Sequence, residues 1–222
     1  MEKVTICTGW GGQYYTAEYV NRLFRACLRH MTRPFDFVLL AGPSVRKEAL
    51  DSKIKIIETG LPYWWAGMVF WSLTGTRLFL DLDVVVVGSL DSLFDVDSEC
   101  CCSRDWSTHS YIPSGHENDA NPGVSLIRGD AGLWVWDEYQ KAGKPIWNPQ
   151  DRSIDHSPCH MAAQGIINDH RGRVDLFPQE VCASYKYTVK KIGVPPGCVT
   201  VHFHGQPKPH ECGESWVKEC WK

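Results

Sequence analysis

The chain has no run of about 18 consecutive apolar residues, so no segment reads as a membrane-spanning helix. It has no Lys/Arg-rich stretch, and 23 basic against 26 acidic residues leave a net charge of −3, which gives no basic face for nucleic acid. Repeats and low-complexity tracts are absent. The opening Met1–Cys7 enters a strand pattern directly, with no apolar leader core, and the expectation is a soluble, cytoplasmic protein. No Cys-x-x-Cys pair occurs among the ten cysteines, and Cys100, Cys101 and Cys102 are consecutive. Reduced, mostly buried thiols follow, rather than a disulfide framework. His204, His210, Cys212 and Cys220 match no standard zinc spacing.

What is present is a chain of 222 residues, enough for one α/β domain with a full core. Strand patterns fall at Val4–Thr8, Phe35–Ala41, Ile54–Glu58, Leu78–Val87, Glu99–Ser103, Val124–Arg128, Arg173–Phe177 and Cys198–His204. A first helix is marked by Val20, Leu23, Phe24, Cys27, Leu28 and Met31 at i, i+3, i+4 spacing, with Thr16 as its cap. Further helices are expected over Trp64–Leu73, Gly132–Lys141 and Cys159–Asn168. Alternation of strand and helix predicts a mainly parallel, doubly wound sheet with helices on both faces, whose ligands bind beyond the strands' carboxyl ends. The stretches Trp106–Pro122 and Pro145–Pro158 read as long loops, and the tail after Pro207 as packing back on the domain.

Chemistry concentrates in two places. Arg77 opens an apolar run in which Asp81-Leu82-Asp83 is followed directly by Val84–Val87. On one continuous strand the two carboxylates would share a face, and burying both demands a positive partner, most simply a divalent cation. Near the other end stands His202-Phe203-His204-Gly205-Gln206-Pro207-Lys208-Pro209. His202 can complete a metal shell, Gly205 lets the backbone approach a ligand, and Lys208 sets a charge against phosphates. An imidazole beside carboxylates favours Mn²⁺, with Mg²⁺ also open. A phosphatase of the haloacid-dehalogenase type also uses Asp-x-Asp, but on its first strand and with a later acidic pair, for which the sequence offers no match.

With these residues the chain resembles the GT-A glycosyltransferases related to glycogenin and the bacterial galactosyltransferases (family 8). The pattern Asp81-x-Asp83, then Asn121-Pro122-Gly123-Val124, then His202-x-x-Gly205-x-x-Lys208-Pro209 carries the resemblance. A further likeness is to the small domains with which large algal viruses glycosylate their capsid proteins. The resemblance implies one GT-A domain over residues 1–222. Its nucleotide-binding half would be 1–105 and its acceptor half 106–222. It implies a UDP-sugar donor, a glycan or glycoprotein acceptor and transfer with retention.

In this reading Thr8 and Gly9 hold the base and Tyr15, or next Tyr14, stacks on it. Asn121 contacts the donor sugar, and Arg77, Leu82 and Asp105 join the donor-binding set. Gln164 lines the reacting face, and Lys208 meets the departing diphosphate. Two departures stand out. The family's basic residue before the Asp-x-Asp strand is replaced by the uncharged Trp65-Ala66-Gly67, and the Asp of its Asp-Gln pair is Ala163, with Asp155 and Asp105 as the candidate substitutes. These losses keep a non-catalytic nucleotide-sugar or glycan-binding relative as the alternative. Of the ten tryptophans, Trp106 in the first loop is the expected acceptor contact, and Trp134 and Trp136 are expected to pack in the core.

Overall fold

The computed structural model describes residues 2–12, 14–105, 119–142, 146–147, 154–155, 163–170 and 172–222. Its main sheet has seven strands in the order β10-β6-β7-β4-β1-β2-β3. These are β1 (Val4–Trp10), β2 (Phe35–Ala41), β3 (Lys55–Glu58), β4 (Arg77–Leu80), β6 (Cys100–Arg104), β7 (Ala120–Ile127) and β10 (Asp175–Leu176). The run β4-β1-β2-β3 is parallel, and β7 is antiparallel to both β4 and β6. A second sheet holds β11 (Cys182–Ser184), β12 (Thr200–His202) and β5 (Val84–Val86), and a two-stranded pair joins β8 (Ile146–Trp147) to β9 (Ile154–Asp155).

Both faces of the main sheet are covered, as apolar parallel strands require. On one face Ile6, Leu39, Leu78 and Leu80 pack with α1 (Ala17–His30) through Val20, Leu23, Phe24 and Cys27. On the other, Cys7, Leu40 and Phe79 meet Trp65, Met68 and Phe70, together with Val135 and Tyr139 of α2 (Leu133–Ala142). The tail does fold back. Its helix α4 (Ser215–Cys220) leads to Trp221, which lies under the Arg22 guanidinium at 4.3 Å.

Several expectations are corrected. The run Leu78–Val87 is not one strand. The chain leaves the main sheet after Leu80, turns through Asp81–Asp83 with Val84 N–H bonding Asp81 O at 3.1 Å, and enters the second sheet at Val84. Buried carboxylates are tolerated at a turn, where backbone and side chains from several elements can reach them, better than inside a ladder. Leu28 is 52 % exposed, so the apolar stripe of α1 ends at Cys27, and Thr16 occupies the N-cap position without a side-chain capping bond. The helix expected at Trp64–Leu73 is a 3₁₀ helix over Tyr63–Ser72. Gly and aromatic residues there favour the α-helix weakly. The helix expected from Cys159 begins at Ala163 as α3 (Ala163–Asp169), and β7 begins at Ala120, inside the stretch read as loop. Strand β11 was not anticipated. Nine cysteines among the described residues are free thiols, eight of them buried.

Candidate functional site

Strand register alone draws the candidate residues together. Pairing Leu80 with Val124 places Gly123 beside Asp81, whose N–H donates to Gly123 O at 2.8 Å. Pairing Val84 with His202 in the second sheet sets the imidazole next to Asp83, and Phe203 N–H donates to Asp83 O at 2.9 Å. Cys7 pairs with Phe79, so β1 ends alongside the same turn.

Asp81, Asp83 and His202 offer ligand atoms that all lie within 4.8 Å of one another, the one such group among the described residues. His202 Nε2 is 3.0 Å from Asp83 Oδ1 and 3.4 Å from Asp81 Oδ2. Lys208 Nζ donates to Asp83 Oδ2 and to the Tyr15 hydroxyl at 3.0 Å, and that hydroxyl donates to Asp83 Oδ2 at 2.9 Å. The two carboxylates differ in setting: the Asp83 side chain is 7 % exposed and that of Asp81 44 %. Burial alone would raise the Asp83 pKa, but the His202 and Lys208 charges and hydrogen bonds hold it well below the carboxylate range. Burial alone would lower His202, yet Asp83 and then Asp81 raise it to about 10. Burial and the two carboxylate charges push the Tyr15 phenol up, which keeps it a donor.

Gly123 is the residue that makes room. A Cβ there would lie 2.4 Å from His202 Cε1, 2.6 Å from Asp81 Oδ2 and 2.9 Å from Asn121 Oδ1. The amide of Asn121 is turned inward by accepting the Gly123 N–H at 2.9 Å. The cradle and its donor set of two carboxylates and one imidazole suit a divalent cation.

Beside this group opens a cavity of about 320 Å³, lined by Gly9, Trp10, Gly11, Tyr14, Tyr15, Phe79, Asp81, Leu82, Asp83 and Lys208. Tyr14 is 81 % exposed and holds φ +64°. Tyr15 is tied to Asp83 and Lys208 and is half-buried, so of the two tyrosines Tyr14 is the more exposed. Gly205 takes φ +70° in the loop leading to Lys208. Gln164 of α3 donates from Nε2 to Asp105 Oδ2 at 2.8 Å, which joins two sequence candidates into one unit.

Two candidates lie elsewhere. Arg77 sits at the far end of β4 from Asp81, wholly buried, with its guanidinium donating to Phe70 O at 3.1 Å, Gly75 O at 2.9 Å and Gly129 O at 2.8 Å. It closes a turn away from the Asp81–Asp83 group. Thr8 is fully buried at the end of β1, and Gly9, Trp10 and Gly11 form the wall instead. The side chain of Asp155 and all of Trp106 lie outside the described residues. The uncharged Gly67 sits in tight packing, since a Cβ on it would lie 3.1 Å from Phe79 Cζ and one on Gly9 would lie 2.8 Å from the Gly67 Cα. Ser184, at the end of β11, and Lys186 and Tyr187, in the turn that follows it, were not singled out by the sequence reading. It read His204 only as a zinc alternative.

No protein-family model and no curated protein sequence matches the chain. Solved structures do match, and they place it in the GT-A fold of glycosyltransferases. One is the galactosyltransferase LgtC bound to donor and acceptor sugar analogues, at 15 % identity and TM-score 0.68, over 98 % of this chain and 93 % of that one. Another is a glycosyltransferase involved in glycosylation of the major capsid of PBCV-1, at 13 % identity and TM-score 0.51, over 92 % and 95 %. A third is mouse xyloside xylosyltransferase 1, at 12 % identity and TM-score 0.53, over 91 % and 98 %.

Proposed function

We propose that the chain is a metal-dependent glycosyltransferase that moves a sugar from a UDP-sugar to a glycan or glycoprotein acceptor, with retention of configuration. The meeting of Asp81, Asp83 and His202 at the carboxyl ends of parallel strands, in a fold shared with solved glycosyltransferases, carries this reading. These three residues would hold Mn²⁺, or Mg²⁺, which when bound supplies positive charge to the diphosphate oxygens. The cavity wall at Gly9–Gly11 takes the base and Tyr14 covers it. Asn121 orients the donor sugar.

Lys208 stabilises charge on the leaving group. As the bond from the anomeric carbon to the phosphate oxygen breaks, its electron pair stays on the diphosphate. The acceptor hydroxyl oxygen bonds to the same face of that carbon and passes its proton to the departing diphosphate. Gln164, oriented by Asp105, lines the reacting sugar. The hydrogen bond between them supports a working site, because it supplies from just beyond β6 the acid that Ala163 lacks. Free thiols support a reducing compartment such as the cytoplasm.

A thermal-shift panel of nucleotide sugars with and without Mn²⁺ tests the reading. Hexose and pentose donors both belong in it, since the neighbours are named for galactosyl and xylosyl transfer. UDP with Mn²⁺ is expected to raise Tm, with about 2.7 kcal/mol of stabilisation at a hundredfold excess over Kd. No shift with any nucleotide sugar would overturn the assignment. Lys208→Ala is expected to lower turnover by roughly two to three orders of magnitude, read as kcat. Trapping of a covalent glycosyl-enzyme would refute same-face transfer.

A further inference from the structure

We infer that Lys186 is a second cation for the diphosphate of the donor, reaching it across Gly205. The inference rests on the donor-binding reading above and adds a residue that neither motif contains. It starts from charge. Two carboxylates cancel a divalent cation, while the diphosphate of a nucleotide sugar brings about two negative charges at neutral pH and roughly three once the sugar has left. Lys208 answers one of them. Something else positive is needed within the same small volume, because uncompensated charge is costly in a partly buried site.

The structure sets Lys186 against the loop that carries Lys208. Its Nζ lies 2.9 Å from the point where a Cβ on Gly205 would stand, so the ammonium rests on the bare face of that glycine. Gly205 belongs to the loop that carries Lys208, and its φ of +70° turns the backbone under the approaching lysine. Lys186 is exposed, and no ion pair engages it among the described residues.

The approach is held by packing. Lys186 belongs to a π-helical turn over Tyr185–Val189, an irregular geometry that recurs at functional sites. Tyr185 stacks on Phe203 with ring centroids 4.3 Å apart and planes 11° apart, and Tyr187 stacks on His204 at 5.3 Å and 21°. Ser184 Oγ accepts the Tyr187 N–H at 3.2 Å and hydrogen-bonds His204 Nε2 at 2.7 Å. Lys186 is thus flanked by two rings, each fastened to a residue just beyond His202. A solvated surface lysine needs no such mounting. The His204 ring lies 5.9 Å from that of His202, which keeps the whole turn close to the cation-binding group.

The test is calorimetric titration of UDP, uridine and inorganic pyrophosphate, each with Mn²⁺, into the wild-type chain, Lys186→Gln and Lys186→Arg. The glutamine variant should bind UDP and pyrophosphate about tenfold to a hundredfold more weakly, with uridine binding unchanged and the arginine variant close to wild type. The salt dependence of UDP binding should flatten in the glutamine variant. Unchanged UDP affinity in Lys186→Gln would overturn the inference and leave the donor site standing. So would a loss confined to the acceptor KM, which would assign Lys186 to the acceptor. Failure of the wild-type chain to bind either UDP or pyrophosphate would overturn both readings together.

Discussion

At the scale of single residues, Asp81 and Asp83 look alike in sequence and differ in physical role. Asp83 is buried and answers two cations, whereas Asp81 faces the cavity. Removing one partner of a buried ion pair strands the others, at about 3–5 kcal/mol, while an exposed charge contributes ~1 kcal/mol or less. Urea denaturation without metal should therefore show Asp83→Asn to be destabilised by about 3–5 kcal/mol and Asp81→Asn hardly at all. Both should lose Mn²⁺-dependent UDP binding. Equal stability of the two variants would contradict the division of roles. Gly123→Ala adds only a methyl group, yet it would drive that group into His202 and Asp81. It should abolish UDP binding with Mn²⁺ and leave the far-ultraviolet circular dichroism of the wild type intact. The Asp-x-Asp pattern could be read in sequence because charge inside an apolar run is costly wherever it falls. The need for Gly123 could not, since the crowding around it comes from a residue some eighty positions away. The surroundings of Arg77 were hidden for the same reason: its carbonyl partners, above all Gly129 O, are set by the fold.

Among elements, hydrophobic pattern recovered the central strands β1, β2, β4, β6 and β7 and the helices α1 and α2, often within a residue or two. It failed where the chain changes sheet. Leu80 and Val84 are both apolar, and nothing local says that they belong to different ladders. Short strands such as β11 carry too few residues for a period to show. A contact between elements gives a pH prediction. Asp91, at the start of the 3₁₀ helix Leu90–Asp95, accepts the Thr32 N–H and hydroxyl at 2.8 Å each and the Arg33 N–H at 3.2 Å, in the turn from α1 to β2. Burial works against the carboxylate, but these bonds and the Arg33 charge bring its pKa below the ordinary 3.8. A lowered folded-state pKa gives stability that is present above 3.8 and fades as pH falls below it. Asp91→Ala should cost about 1–2 kcal/mol at pH 7, and the gap to wild type should shrink in denaturation at pH 3. A gap that stays constant would show that charge has no part in the contact.

For the whole molecule, the site joins two sheets. Asp81, Asn121 and Gly123 belong to the main sheet or its margin, and Asp83, His202 and Lys208 to the second sheet and the loop beyond it. Occupation by UDP and Mn²⁺ should thus slow amide hydrogen exchange in β4 and β7 and in β5 and β12 together. Protection confined to one sheet would mean that the ligand is held by half of the site. The doubly wound class followed from alternation along the sequence, and so did the expectation that ligands bind beyond the strands' carboxyl ends. The division of labour between two sheets did not, since it depends on a turn of three residues.

Asp83 has its own ammonium and imidazolium companions. A newcomer of like sign must therefore evict before it can settle, so binding there is an exchange. Lys208 gives up the carboxylate most easily when phosphate oxygens arrive to receive it. Ion and nucleotide should accordingly promote each other's uptake, each holding weakly when offered alone.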